Sequence, residues 1–263
     1  MKTMKISLLL LLGSSVVFNS CKKDKSDDPA QQTCKVTKVN YFGTTGAAVD
    51  SAVYTYTGDK VSKVQLSAAN YTLEYSGNNV VKRNIFSTAG ATPDAYDQVT
   101  YNSDNTINKI ESFERVSSNY VLVYRANFTY TGGKLTKAAF NDVNNNTPTL
   151  YEDYVYTYTG NNITSSVYTD YSGSTPSSQT LTYSFDTNTN YFKKQNSQFL
   201  LIDAFFADFD GLFLPLAFSD NNVISISGNG QSLPFSYTLD SRQNLGDIRL
   251  LNQLFARYTY QCQ

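Results

Sequence analysis

The stretch NFTYTGGKLTKAAF, Asn127 to Phe140, decides the fold. Phe128 and Tyr130 alternate with Thr129 and Thr131, the period of a strand with one apolar and one polar face. Gly132 and Gly133 supply the positive φ angles of a tight hairpin turn, and LTKA starts the return strand. The pattern recurs in VYTYTGDKVSKV from Val53, YTLEYSGNNVVKR from Tyr71, VYTYTGNNITSSV from Val155 and LAFSDNNVISI from Leu216. DQVTYNSDNTINKI, from Asp97, is one residue longer. Tyr56 and Val61, Tyr75 and Val80, Tyr130 and Leu135, Tyr158 and Ile163, and Phe218 and Val223 are each five positions apart. One supersecondary unit is used repeatedly.

After each turn the alternation breaks. Val61 and Val64, like Ile107 and Ile110, are three positions apart. A bulge in the return strand would bring both onto one face. The units follow one another every 19 to 29 residues up to Tyr158, so consecutive hairpins are joined by further turns. The reading is an all-β, antiparallel up-and-down meander of roughly fourteen to sixteen strands, and a sheet that wide must curl, split or close as a barrel.

The motif Y-x-Y-[ST]-G-[ND]-x-[VIL] resembles the tyrosine-aspartate repeats of Rhs-type proteins. DTNTNYF (Asp186 to Phe192) and YTLDSRQNL (Tyr237 to Leu245) resemble the C-terminal part of uncharacterised Bacteroidota lipoproteins with a porin-like fold. Tyr191 stands where that family frequently has proline. The resemblance implies a many-stranded antiparallel barrel or strongly curved sheet and implies no known activity.

The N-terminus is of another kind. Lys2 and Lys5 precede the apolar run ISLLLLLGSSVVF, which is too short to span a bilayer, and Asn19-Ser20 leads into Cys21. Residues 1–20 read as a signal peptide. A cysteine after a small residue and before a polar run resembles the bacterial lipoprotein signal, in which that cysteine is lipidated. Phe18 stands where leucine is commonest in that signal. An ordinary secretory signal with a chance cysteine is the alternative. Residues 21–33, CKKDKSDDPAQQT, read as a flexible linker. The tract SCKKDKSDDP also resembles the tags of Bacteroidota lipoproteins exported to the cell surface. The expected location is therefore the outer membrane and the cell surface, with the membrane engaged through lipid on Cys21. Residues 34–263 read as a single domain.

Without residues 1–20, which hold Lys2 and Lys5, 19 basic residues face 22 acidic ones, a net charge of −3. The lysines are scattered singly, with no basic stripe of the kind that follows a phosphate backbone, so nucleic acid is not an expected partner. The two remaining cysteines, Cys34 and Cys262, stand at the domain's two ends. In an oxidising compartment they can pair and pin the first strand to the last; two free thiols are the alternative.

SQFLLIDAFFADFDGLFLPLAF, Ser197 to Phe218, departs from the hairpin pattern. Phe199, Ile202, Phe206 and Phe209 recur at helical intervals until Gly211 and Pro215, which predicts a short helix near 198–209 packed into or across the barrel. At roughly 18 Å it is too short to cross a bilayer.

The chain has no histidine, which excludes histidine-dependent triads and makes zinc chemistry foreign to it. No cofactor is expected. Tryptophan is absent too, leaving tyrosines such as Tyr168, Tyr171 or Tyr191 as the means of stacking a sugar ring. Asp142, Asn144, Asn146 and Asp153 fall at positions of a calcium-loop spacing, but Thr147 replaces the required glycine and Pro148 follows, so no metal site is assigned. Carboxylates close in sequence, Glu111 with Glu114 and Asp208 with Asp210, form no glycosidase pair by themselves. The expectation is a non-enzymatic binding or structural module for a glycan, peptide or envelope partner. The alternative is a carboxylate-dependent hydrolase with its site in the barrel mouth, and a packed interior would favour the former.

Overall fold

The structure is a computed structural model that describes residues 34–87, 92–194 and 211–262. Its strands are β1 (Cys34–Phe42), β2 (Ala48–Thr57), β3 (Lys60–Gln65), β4 (Asn70–Ser76) and β5 (Asn79–Phe86). They continue as β6 (Ala95–Tyr101), β7 (Ile107–Val116), β8 (Asn119–Thr131), β9 (Lys134–Asn144), β10 (Thr147–Thr159) and β11 (Asn162–Asp170). The last are β12 (Ser177–Thr189), β13 (Asn221–Gly228), β14 (Gln231–Leu239), β15 (Leu245–Leu250) and β16 (Gln253–Cys262). Every strand pairs antiparallel with its neighbours in sequence, and β1 pairs with β16, so the meander closes as a sixteen-stranded barrel. Closure leaves no free edge.

The expected bulge is present in hairpin after hairpin. Thr55 faces Lys63 while Tyr56 faces Val61, leaving Ser62 as the extra residue. Thr136 and Thr164 are the extra residues of their own hairpins. The bulge turns Val61 and Val64, Ile107 and Ile110, and Leu135 and Ala138 all inward, where they are buried. These three bulge residues are hydroxylated, where other hairpins have Val81 and Asn108. Ser62 Oγ donates to the Thr55 carbonyl at 3.2 Å, and Thr136 Oγ1 to the Thr129 carbonyl at 3.1 Å, each giving a displaced ladder oxygen a partner.

Inward positions bury Val36, Val39, Tyr41, Ala52, Val80, Phe140, Ile163, Val223 and Leu245 to 1% exposure or less, all within one apolar cluster. Side chains from around the circumference are covered, so the interior is packed. The outer wall mixes ion pairs with exposed apolar side chains such as Val53, Val155, Val167 and Ile224. Glu111 there meets Lys109 at 2.8 Å and Arg125 at 2.7 Å, Asp153 meets Lys137 at 2.7 Å, and Asp247 meets Arg257 at 2.7 Å.

Between β12 and β13 lie α1 (Tyr191–Lys194), a 3-10 turn at Gly211–Phe213, and α2 (Leu214–Phe218). The helix predicted near 198–209 lies outside the described residues, as does the pair Asp208 and Asp210. Leu214 and Leu216 are buried in the core cluster. A Cβ on Gly211 would come within 2.4 Å of the Tyr154 ring, which points into the barrel, so this insertion enters the interior and plugs one end. Cys34 and Cys262 are disulfide-bonded across the β1–β16 seam, as read from their positions at the ends of the domain.

Candidate functional site

The two rims of the barrel are built differently. One rim gathers the glycine turns of the repeat, the disulfide and the plug. There the repeat motif links each hairpin to the next. Tyr56 Oη donates to the Val36 carbonyl at 2.8 Å, Tyr75 to Val61 at 2.9 Å, Tyr101 to Val80 at 2.9 Å, Tyr237 to Val223 at 2.7 Å and Tyr260 to Leu245 at 2.9 Å. Tyr158 also bonds the Leu135 backbone. The turn lysines lie over these rings. Lys35 Nζ stands 5.4 Å from the centre of Tyr56 and donates to the Gly58 carbonyl at 2.7 Å. Lys60 stands 5.3 Å from Tyr75 and donates to Gly77; Lys134 stands 5.2 Å from Tyr158 and donates to Gly160. Tyrosine, glycine and lysine of the motif are thus contacts between hairpins, which spacing along one hairpin could not show.

Asn190 fastens the plug to this rim. Its Nδ2 donates to the Leu216 and Ser219 carbonyls, both at 2.7 Å, and its Oδ1 accepts from Phe192 N at 2.9 Å. Tyr191 N donates to Asn222 Oδ1 at 2.8 Å, a bond that a proline at this position could not make. Tyr156 Oη donates to the Gly211 carbonyl at 3.0 Å. This rim is closed by satisfied bonds.

The opposite rim, the barrel mouth, carries the β1–β2, β3–β4, β5–β6, β7–β8, β9–β10, β11–β12, β13–β14 and β15–β16 connections. Tyr124 and Asp142 are cross-strand partners there, and Glu152 faces Phe140 on the neighbouring strand. Tyr151 Oη stands 3.5 Å from Tyr124 Oη, and their rings are 6.1 Å apart. Tyr124 is stacked over Phe140 at 6.4 Å, Phe140 meets Tyr154 edge to face at 6.1 Å, and Tyr168 lies 4.9 Å from Tyr154. An aromatic wall therefore runs from the plug, where Tyr154 meets Gly211, up to the mouth. Burial pushes the Tyr124 phenol well above its ordinary range, reinforced by Tyr151, Glu152 and Asp142, so it stays protonated. In the same cross-strand row, where Ser112 pairs with Tyr124, Arg83 Nε donates to Asp97 Oδ2 at 2.7 Å and Ser112 Oγ donates to Asp97 Oδ1 at 2.5 Å. The Arg83 guanidinium lies 4.7 Å from the centre of the Tyr71 ring. The pair is buried and its charge is internally compensated.

Of the tyrosines considered as stacking platforms, Tyr168 lines this wall and is half-buried. Tyr171 Oη donates to Asp153 Oδ2 at 3.3 Å, and Tyr191 is buried, 5.8 Å from Tyr237, which corrects its reading as an exposed ring. The calcium-like spacing forms a hairpin, not a loop. Asn145 and Asn146 take positive φ of 50° and 63° in a two-residue turn, and Asp153 lies in β10 beside Lys137. No group of three or more metal-ligating side chains occurs among the described residues. Glu111 and Glu114 lie on opposite faces of the regularly paired β7 and do not converge. The tyrosine and carboxylate cluster at the mouth was missed in sequence because its members come from three strands. Tyr124 pairs directly with Asp142 while Glu152 pairs with Phe140, and no spacing along a single strand shows that juxtaposition.

No protein-family model matches the chain, and no curated protein matches it. Solved structures that resemble it include the following three. A DUF3836 family protein from Bacteroides vulgatus aligns at 18% identity over 32% of this chain and 91% of its own, with a TM-score of 0.29. A protein of unknown function from Bacteroides fragilis aligns at 14% identity over 39% of this chain and 80% of its own, with a TM-score of 0.34. The Tc holotoxin pore of Photorhabdus luminescens aligns at 9% identity over 75% of this chain and 12% of its own, with a TM-score of 0.31. At these similarities the likenesses assign no function.

Proposed function

We propose that the protein is a lipid-anchored cell-envelope protein, held through Cys21 at the outer membrane and exposed at the cell surface, that binds a neutral glycan at the mouth of its barrel. The packed interior carries this reading: with the core filled and one rim plugged, a ligand meets the protein at the mouth and loops of the other rim. The groups there suit hydroxylated, uncharged ligands. Tyr124 and Tyr151 offer phenol hydroxyls and ring faces, while Asp142 and Glu152 accept hydrogen bonds and repel anions such as phosphates.

A hydrolytic reading would need a carboxyl held above its ordinary range to serve as acid. Asp94, Asp104, Glu111, Asp240 and Asp247 are instead held low.

Two measurements test the proposal. Labelling with radioactive palmitate should mark the wild-type chain and not Cys21→Ala; label retained in the variant removes the anchor. Oligosaccharide arrays probed with the soluble domain should show binding that Tyr151→Ala and Glu152→Gln each weaken at least about tenfold, the equivalent of roughly 1.4 kcal/mol. Absence of glycan binding, or binding unchanged in both variants, overturns the ligand assignment.

A further inference from the structure

We propose that the outer wall over β6 to β8 carries a second sugar-stacking platform, built on Tyr96, Phe113 and Tyr120. The ligand of the mouth is then an extended neutral polysaccharide that crosses the β7–β8 turn to reach this platform, a reading that rests on glycan binding at the mouth.

A bulge in β8 makes the arrangement. Tyr120, Leu122 and Tyr124 are two residues apart and would share one face of an unbroken strand. Ser112 pairs with Tyr124 while Phe113 pairs with Leu122, so Val123 is the extra residue and the facing changes there. Tyr124 stays inside with Ser112, whose hydroxyl reaches the buried Asp97. Phe113, Leu122 and Tyr120 turn outward. Leu122 is buried yet is not a member of the interior cluster. One hairpin therefore supplies a phenol to the mouth and two rings to the wall behind it.

Tyr96 of β6 completes the platform. It is the cross-strand partner of Phe113, with the two rings stacked at 4.6 Å, and Tyr120 meets it edge to face at 4.9 Å. All three rings are half-buried, so each presents part of its surface to water. Tyr120 Oη donates to the Pro93 carbonyl at 2.7 Å, which fixes that ring. A stacked cross-strand pair stabilises a sheet by itself. What marks this one is the third ring and the border. Lys82 Nζ stands 4.4 Å from the centre of the Tyr96 ring and 3.9 Å from Glu74, which also accepts from Asn84 Nδ2 at 2.8 Å. On the mouth side Arg115 meets Asp94 at 2.6 Å. Two cations and two carboxylates cancel, so the border offers donors and acceptors without selecting a charged ligand. Rings edged by such groups suit a pyranose, which has apolar faces and a hydroxylated rim.

The platform and the mouth lie on opposite sides of one wall. Phe113 is three residues from the end of β7 and Tyr124 five from the start of β8, roughly 10 and 15 Å from the turn between them. A chain that touches both must pass over the exposed Ser117 and Ser118 and be several sugars long. A short one reaches the mouth alone.

The test uses the mature chain carrying Cys21→Ser and the neutral series of an oligosaccharide array, each presented as a disaccharide and as a decasaccharide. Tyr96→Leu and Phe113→Leu keep an apolar side chain in the sheet and remove the ring. Wild-type binding should be at least about tenfold tighter for the decasaccharide, the gain of engaging two linked subsites. Each variant should lose several-fold on the decasaccharide and nothing on the disaccharide, while Tyr151→Ala loses on both. Wild-type affinity independent of length, or decasaccharide binding unchanged in both variants, overturns the platform and leaves the mouth reading standing. Equal losses at both lengths in the two variants would mean a disturbed barrel and overturn it as well. A wild-type chain that binds no neutral glycan at either length overturns the mouth reading and the platform together.

Discussion

The Tyr75 hydroxyl donates to the Val61 carbonyl at 2.9 Å, and Val61 is the residue that Tyr56 of the preceding hairpin faces across its turn. The relation repeats around the rim, so the motif tyrosine serves the neighbouring hairpin more than its own. Tyr130 is the departure. Its hydroxyl is buried and has no partner among the described residues.

Tyr75→Phe and Tyr101→Phe should each lose about 1 kcal/mol, the net worth of a neutral hydrogen bond, together with the penalty of a carbonyl left dry. Tyr130→Phe should be neutral or stabilising, because it removes a hydroxyl that has no bond to lose. Urea denaturation of the three variants measures the contrast, and an equal loss at all three positions would refute the role given to the ladder.

The Cys34–Cys262 bond closes a loop of 228 residues in sequence separation. In the chain-entropy account such a closure is worth on the order of 5 kcal/mol. Reduction, or Cys34→Ser with Cys262→Ser, should lower the thermal midpoint markedly while β-sheet content persists at low temperature, since the β1–β16 ladder remains. Melting curves by circular dichroism with and without reductant read both quantities.

Arg83 and Asp97 occupy inward positions that other hairpins fill with Val64 and Ala52. Replacing one partner strands a buried charge, so Arg83→Met and Asp97→Leu should each be destabilised by about 3–5 kcal/mol. The double variant should be more stable than either single one, because no uncompensated charge remains. A double-mutant cycle in urea tests this, and simple additivity would show that the pair is not coupled.

The pH profile should be a broad plateau with two edges. On the alkaline side, burial pushes Tyr158 up to about 12 and raises Tyr56, Tyr75, Tyr101, Tyr130 and Tyr237 above the ordinary phenol range. A folded pKa above the unfolded one means stability that is complete below about pH 10 and is lost as pH rises. Unfolding should therefore accompany phenolate absorbance from about pH 10 upward.

On the acid side, hydrogen bonds from Ser87 and then Arg115 hold Asp94 at about 2, and the Arg257 hydrogen bond holds Asp247 low. Their contribution is present above about pH 4 and fades as pH falls. The chain has no histidine to titrate between these edges. A steep change in stability near pH 6.5, the ordinary range of histidine, would contradict the profile.

Much of the barrel was legible because a hairpin is local. Tyr130, Gly132, Gly133 and Leu135 lie within a few residues of one another, and steric limits on φ with the two-residue period of a strand determine their arrangement whatever surrounds them. The three-residue spacing of Val61 and Val64 foretold a bulge for the same reason, and the positions of Cys34 and Cys262 at the domain ends foretold a link across the seam. Lys60 over Tyr75 and Asn190 beneath Ser219 were not legible, since each depends on where a distant hairpin lies.

The sequence by itself determined the unit: alternating strand, glycine turn, bulged return. Tertiary structure alone decided that the units close on themselves, that Gly211 is driven against Tyr154, and that Tyr124, Tyr151, Asp142 and Glu152 meet at one mouth. Closure and convergence depend on register and twist accumulated over sixteen strands, and no single hairpin carries that sum.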